Sequence, residues 1–209
     1  MRPGDVIRRA ADAVRDAATH SSRLRGVADN LDNHLDSVIK QIRDLDKYDS
    51  TVTRRGRNTK TTWWDRETGR PGSERGTILD DFGGTGRGDN ATEVGNLGNP
   101  TDHGGHLGAH RFFGDTPDAG IIPQAGNLNT GAWKKMENEW AAWVGNGYQV
   151  DYRIDVYPPG AVRPDALEVE YVVTNPNTGE EVYRNFPSFW NEAGESFDRK
   201  YSRDIPGLP

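Results

Sequence analysis

Two stretches of alternating hydropathy constrain this chain more than any other feature. Tyr148, Val150, Tyr152, Ile154 and Val156 alternate with Gln149, Asp151, Arg153 and Asp155, and Leu167, Val169, Tyr171 and Val173 repeat the period. A period of two gives a strand one apolar and one polar face, so both segments are predicted as half-buried strands of an antiparallel sheet. Pro176-Asn177-Thr178-Gly179 predicts a turn into a further strand at Glu181-Val182-Tyr183-Arg184, which makes a meander. Immediately upstream, Trp133, Met136, Trp140, Ala141 and Val144 recur at helical spacing and stop near Gly145 or Gly147, which predicts an amphipathic helix. The fold class is α+β.

Before that core the pattern changes. Val6, Ile7, Ala10, Val14 and Ala18 keep helical spacing up to His20-Ser21-Ser22; Leu24, Val27, Leu31, Leu35, Val38, Ile42 and Leu45 then step by three and four. Such a seam is coiled-coil-like and needs a partner, so residues 1–50 are predicted as a long helix or helical hairpin that docks or self-associates. Residues 51–76 lack apolar periodicity and carry Arg54, Arg55, Arg57, Lys60, Arg66, Arg70 and Arg75, with Arg70-Pro71-Gly72-Ser73 as a breaker. They are predicted as a basic linker, open between a solvated connector and a phosphate-tracking arm helped by Trp63 and Trp64. Residues 77–209 form the predicted catalytic domain.

With 33% hydrophobic residues among 209, 25 glycines and 12 prolines, the chain can build one compact core with much polar loop. No cysteine is present, so no disulfide framework or thiolate zinc site is available. No segment approaches the ~20 apolar residues of a membrane span, and the start leads into no apolar run of a classical signal peptide. The net charge of −6 runs against binding to a polyanion, where affinity comes from neutralising phosphates, so the placement of cations must decide.

Chemistry concentrates between residues 102 and 137. In Asp102-His103-Gly104-Gly105-His106-Leu107, His106 stands among glycines that leave room for a backbone or phosphate, and neutral imidazole is a general base suited to physiological pH. Asn129 precedes the helix and Glu137 lies two turns on, within the apolar stripe, where a carboxylate is costly unless paired or near a metal. Residues alone leave Asn129 open between a plain N-cap and a ligand, and Glu137 between a solvated edge residue and a site carboxylate. His103, His106 and His110 also permit a histidine-rich zinc site, although no His-Glu-x-x-His motif is present. The run Gly83-Gly84-Thr85-Gly86-Arg87-Gly88 lacks a Gly-Lys-Ser/Thr ending and is predicted as a loop beside the active site.

From about Gly95 to about Val173 the chain resembles the DNA/RNA non-specific endonucleases of the ββα-metal type, in particular the branch used by bacteria as toxin domains. The residues that carry the resemblance are Asp102-His103-Gly104-Gly105-His106-Leu107, then Ile122-Pro123-Gln124, then Leu128-Asn129 through Trp133 to Glu137. It implies an antiparallel sheet supporting a ββα-metal motif, with His106 as general base, Asn129 as direct ligand of Mg2+ or another hard divalent cation such as Mn2+, Glu137 on metal-bound water, and Gln124 in support. Two departures stand out. Gly104 occupies the place where secreted members carry an arginine before the Gly-His pair, and Asp118-Ala119-Gly120 replaces asparagines ahead of the Pro-Gln pair. Phosphate contacts then fall to Arg111, Lys134, Lys135 or Arg163. The resemblance implies a nuclease acting on DNA and RNA, secreted or delivered into a target cell to act in its cytoplasm, and held in check by an immunity protein. The alternative is a catalytically silent binding or assembly module on the same scaffold.

Overall fold

The computed structural model describes residues 47–84 and 86–205. Of the predicted N-terminal helical segment, residues 1–50, residues 1–46 lie outside the described residues, and its end from Tyr48 is strand instead. The next segment is not a linker. Strands β1 (Tyr48–Arg55), β2 (Asn58–Asp65) and β3 (Pro71–Ile78) enter the main sheet and bring its start to residue 48 rather than 77.

The apolar period failed there because these strands bury polar side chains. Asn58, Lys60, Thr62 and Glu74 are all nearly inaccessible, and Lys60 Nζ lies 3.1 Å from Glu74 Oε2. Thr62 donates to the same oxygen at 2.6 Å, and the Tyr152 hydroxyl donates to Oε1 at 2.8 Å. Asn58 Nδ2 donates to the carbonyls of Asp80 and Phe112, each at 2.8 Å. Buried polar groups persist only when they find partners, and a hydropathy pattern cannot register that pairing. Of the cations here, Arg57 pairs with Asp80 at 2.6 Å and Lys60 is inside, so neither is open to a phosphate.

Strands β6 (Gln149–Tyr157), β7 (Ala166–Thr174) and β8 (Glu181–Asn185) form the predicted meander, antiparallel throughout. The main sheet has seven strands in the order β1-β2-β3-β6-β7-β8, with β9 (Ser188–Trp190) pairing β7 as well. A separate two-stranded ribbon joins β4 (Asp102–His106) to β5 (Ile121–Ala125), with α1 (Ala91–Gly95) packed on β4 and the short α2 (His110–Phe113) following it.

From β5 the chain turns at once into a continuous helical stretch. It begins as α3 (Gly126–Leu128), widens through a π turn (Asn129–Trp133), and continues as α4 (Lys134–Gly145). Helix α4 covers the apolar face of the meander. Trp140 stacks on Tyr152 with centroids 5.0 Å apart and meets Tyr171 edge-on, while Trp143 stacks on Tyr183 at 5.7 Å. Each large apolar side chain sealed in this way contributes about 1.5–3 kcal/mol. The carboxylate buried in this core is Glu139, held by the Tyr171 hydroxyl and the Lys200 amide. Of the aromatic tail, Phe189 joins the core, whereas Phe186 and Trp190 are exposed.

Candidate active site

The unit β4–β5–helix builds the site. His106 is the last residue of β4, and its carbonyl accepts a hydrogen bond from the indole Nε1–H of Trp133, at 3.2 Å. That bond ties the end of the strand to the same helical stretch that carries Asn129 and Glu137. The two glycines before His106 are required by close packing. A Cβ on Gly104 would lie 1.8 Å from the Ala91 carbonyl oxygen, and one on Gly105 would lie 2.1 Å from Gln124 Oε1. No larger side chain fits position 104, which accounts for the missing arginine.

Asn129 and Glu137 are eight residues apart, and in a regular α-helix that spacing leaves them about 80° out of line. The intervening π turn takes up one extra residue through its i→i+5 bonding. Eight residues therefore span what seven would, within about 20° of two full turns. Both side chains line one cleft of about 450 Å³, together with Arg87, His103, His106, His110, Arg111, Lys134 and Asn138. Gly83 and Gly84 form part of its wall, as expected of a glycine loop beside the site.

His106 Nε2 lies 2.7 Å from Asp89 Oδ2, with both side chains almost fully enclosed. Burial pushes the imidazole below its usual range against the opposing pull of Asp89, and the positive fields of Lys60 and Arg87 act in the same direction as burial. For Asp89, burial favours the acid form, but the bond to His106 and the Thr116 amide outweigh it and the net shift is downward. The pair is therefore a neutral imidazole against an ionised carboxylate, which leaves Nδ1 as the ring nitrogen free to accept a proton. Glu137 is half-buried, and desolvation raises its pKa to about 7 in spite of Arg111, Lys134 and Arg87 nearby.

Of the residues predicted from sequence, the fold brings His106, Asn129, Glu137, Arg111 and Lys134 to this cleft. Arg111 is already engaged by Asp81 at 2.5 Å and by Asn138. Lys135 is exposed and is not part of the lining. Arg163 pairs with Asp102 at 2.6 Å and lines a different, larger cleft of about 680 Å³. That larger cleft holds neither His106, Asn129 nor Glu137, so size does not locate the chemistry. Gln124 is buried beneath Gly105, and its amide lacks a hydrogen-bond partner among the described residues.

Sequence reasoning gave no role to Asp89 or Arg87. Arg87 lies within the glycine run and Asp89 directly after it, and only the fold carries that loop back to His106. The three histidines do not form one donor set; among the described residues the cluster with metal-ligand spacing is Asp89, His110 and Asp115, whose donor atoms lie within 4.8 Å of one another. His110 is bonded there to Asp115 at 3.0 Å.

Residues 85–175 match the family model described as DNA/RNA non-specific endonuclease, a span that contains Arg87, Asp89, His106, Asn129 and Glu137. The fold is similar to the crystal structure of NucA from Streptococcus agalactiae with magnesium ion bound, with a TM-score of 0.51 and 15% identity over 70% of this chain and 76% of that one. No curated protein matches the sequence. The family match spans most of the residues that line the cleft, so residues 85–175 carry a segment similar to the DNA/RNA non-specific endonucleases, on a fold similar to that of NucA.

Proposed function

We propose that this nuclease hydrolyses DNA and RNA without sequence preference, with Mg2+ or a similar hard divalent cation held at Asn129. The observation that carries the proposal is the single cleft that gathers a neutral imidazole, an unpartnered asparagine amide and a carboxylate shifted to about 7. Among the described residues nothing hydrogen-bonds the Asn129 side chain, so its oxygen is available as a ligand. A half-buried carboxylate that resists ionisation fits a site completed by a cation. One direct protein oxygen from Asn129, with Glu137 holding the waters of the cation, suits Mg2+, which keeps several waters and binds through few side chains plus a substrate phosphate. When bound, the cation would offset charge on the phosphate and the departing oxygen.

His106 Nδ1 takes the proton from the attacking water, and the bond to Asp89 fixes the ring for it. Arg87 and Lys134, cations of the lining with no carboxylate partner among the described residues, draw in the phosphate. The lining contains no Trp, Tyr or Phe on which a base would stack most strongly. Contacts to phosphate position a strand without reading its sequence, which supports sequence tolerance. Arg87 and Lys134 offer locally what the net charge of −6 does not.

The biological setting we propose is that of a toxin delivered into a competing cell, with an immunity protein that covers this cationic cleft through an acidic surface. The resemblance of the histidine and helix motifs to toxin nuclease domains supports this setting. Expression in a bacterial cytoplasm tests it: wild type should arrest growth and degrade nucleic acid, and His106→Ala should do neither. Equal toxicity of the two would reject it.

A further inference from the structure

We propose that Asp89 is a positioning residue for the general base: it fixes His106 as the Nε2–H tautomer, so that Nδ1 faces the reaction as the acceptor, and it balances the imidazolium that forms. This rests on the nuclease reading of the cleft. The bond is 2.7 Å long, and the two side chains are 3% and 4% exposed, so water does not compete for it. Asp89 is itself oriented, because the Thr116 amide donates to the same Oδ2 at 3.2 Å. It also sits just ahead of α1, the helix packed against Gly104 of β4, so one rigid unit holds both members of the pair.

The charged and titratable groups around the pair come from several elements. Lys60 approaches from β2 and Arg87 from the glycine loop, both opposing a positive ring. His110 of α2 meets His106 edge-on at 5.5 Å, and Asp115 binds His110. In this surrounding of cations, Asp89 is the carboxylate in direct contact with His106.

During the reaction a water proton moves to Nδ1 while the water oxygen bonds to phosphorus. One bridging P–O bond breaks, and the departing oxygen takes a proton from solvent. Asp89 keeps its charge throughout and gains no proton. In a Ser-His-Asp triad, replacing the aspartate by asparagine with the geometry intact costs about 10⁴-fold because the wrong tautomer is favoured.

The test compares wild type with Asp89→Asn and Asp89→Ala by three readouts: oligonucleotide cleavage across pH in saturating Mg2+, thermal stability, and 15N imidazole NMR. The His106 resonances are assigned by their absence in His106→Ala. The expectation for Asp89→Asn is a kcat lower by about 10²- to 10⁴-fold with KM within about threefold. The acidic limb of its kcat profile should move to lower pH, because the imidazolium has lost its counter-ion. Wild type should show Nε2–H, and Asp89→Asn should shift the proton toward Nδ1. Unchanged kcat, or a loss explained by unfolding with the limb and the tautomer unmoved, would overturn the proposal. Cleavage by a wild type that carries the opposite tautomer would overturn it alone, whereas the expected tautomer without cleavage in any divalent cation would bring down the nuclease reading and the catalytic role of Asp89 with it.

Discussion

Changing the length of the π turn separates two roles it could have: alignment of the site residues, or a requirement for the wide turn itself. Gly131 lies within it, and a Cβ placed there would meet nothing within 4 Å, so its removal strips no packing. Deleting Gly131 converts the stretch to regular α-helix in which Asn129 and Glu137 are separated by seven residues. That leaves them about 20° from alignment, or about 0.8 Å at a Cα radius of about 2.3 Å. Inserting one alanine after Gly131 leaves them about 80° apart, or about 3 Å at the same radius. A misplacement of about 1 Å at a reacting group can cost about 10²-fold. The deletion should therefore stay within about tenfold of wild type, and the insertion should lose at least about a hundredfold. Gly131→Ala serves as control; it should gain about 0.5–1 kcal/mol in stability with activity unchanged. The assay is initial-rate cleavage of a fluorescent oligonucleotide in Mg2+, with helix content and melting checked by circular dichroism. A folded insertion that is fully active beside an inactive, folded deletion would refute the alignment argument.

Arg87→Ala should raise KM severalfold and reduce the salt slope of binding by about one, while Arg163→Ala should leave both unchanged; salt-dependent KM measurements on both variants check this. Glu137 binds its proton more tightly folded than unfolded, with a pKa raised from 4.5 to about 7. Metal-free stability should therefore fall as pH rises through that window, by up to about 3 kcal/mol. Glu137→Gln should flatten this dependence and raise the melting temperature above pH 7, so parallel melting curves in chelator would contradict it. Lys60→Met leaves the Glu74 carboxylate buried without its cation and should cost about 3–5 kcal/mol by denaturant unfolding.

The meander and the amphipathic helix before it were legible because their buried faces are apolar and their periods differ; that the helix covers the sheet was not. The site residues His106, Asn129 and Glu137 were legible as motifs, although only the π turn explains how an eight-residue spacing brings two of them into line. Strands β1 to β3 were hidden because Asn58, Lys60, Thr62 and Glu74 turn inward and pair with one another or with the backbone. Their outward cations then read as a linker. Asp89 was hidden for a different reason: a contact across 17 residues between a glycine loop and a strand end leaves no local pattern. The phosphate contacts were assigned from charge alone, and charge does not reveal that Arg163 and Arg111 are already paired.

The central claim is that one cleft cleaves phosphodiester bonds with a divalent cation at Asn129 and a base at His106. The most direct measurement is cleavage of supercoiled plasmid and of a single-stranded RNA by the full chain in Mg2+, beside chelator, His106→Ala and Asn129→Ala, with folding of each variant verified. The account predicts cleavage of both substrates by wild type, none in chelator, and rates about 10² to 10⁴ lower for His106→Ala. A folded wild type inactive on both substrates in Mg2+ and Mn2+, or full activity retained in excess chelator, would contradict it.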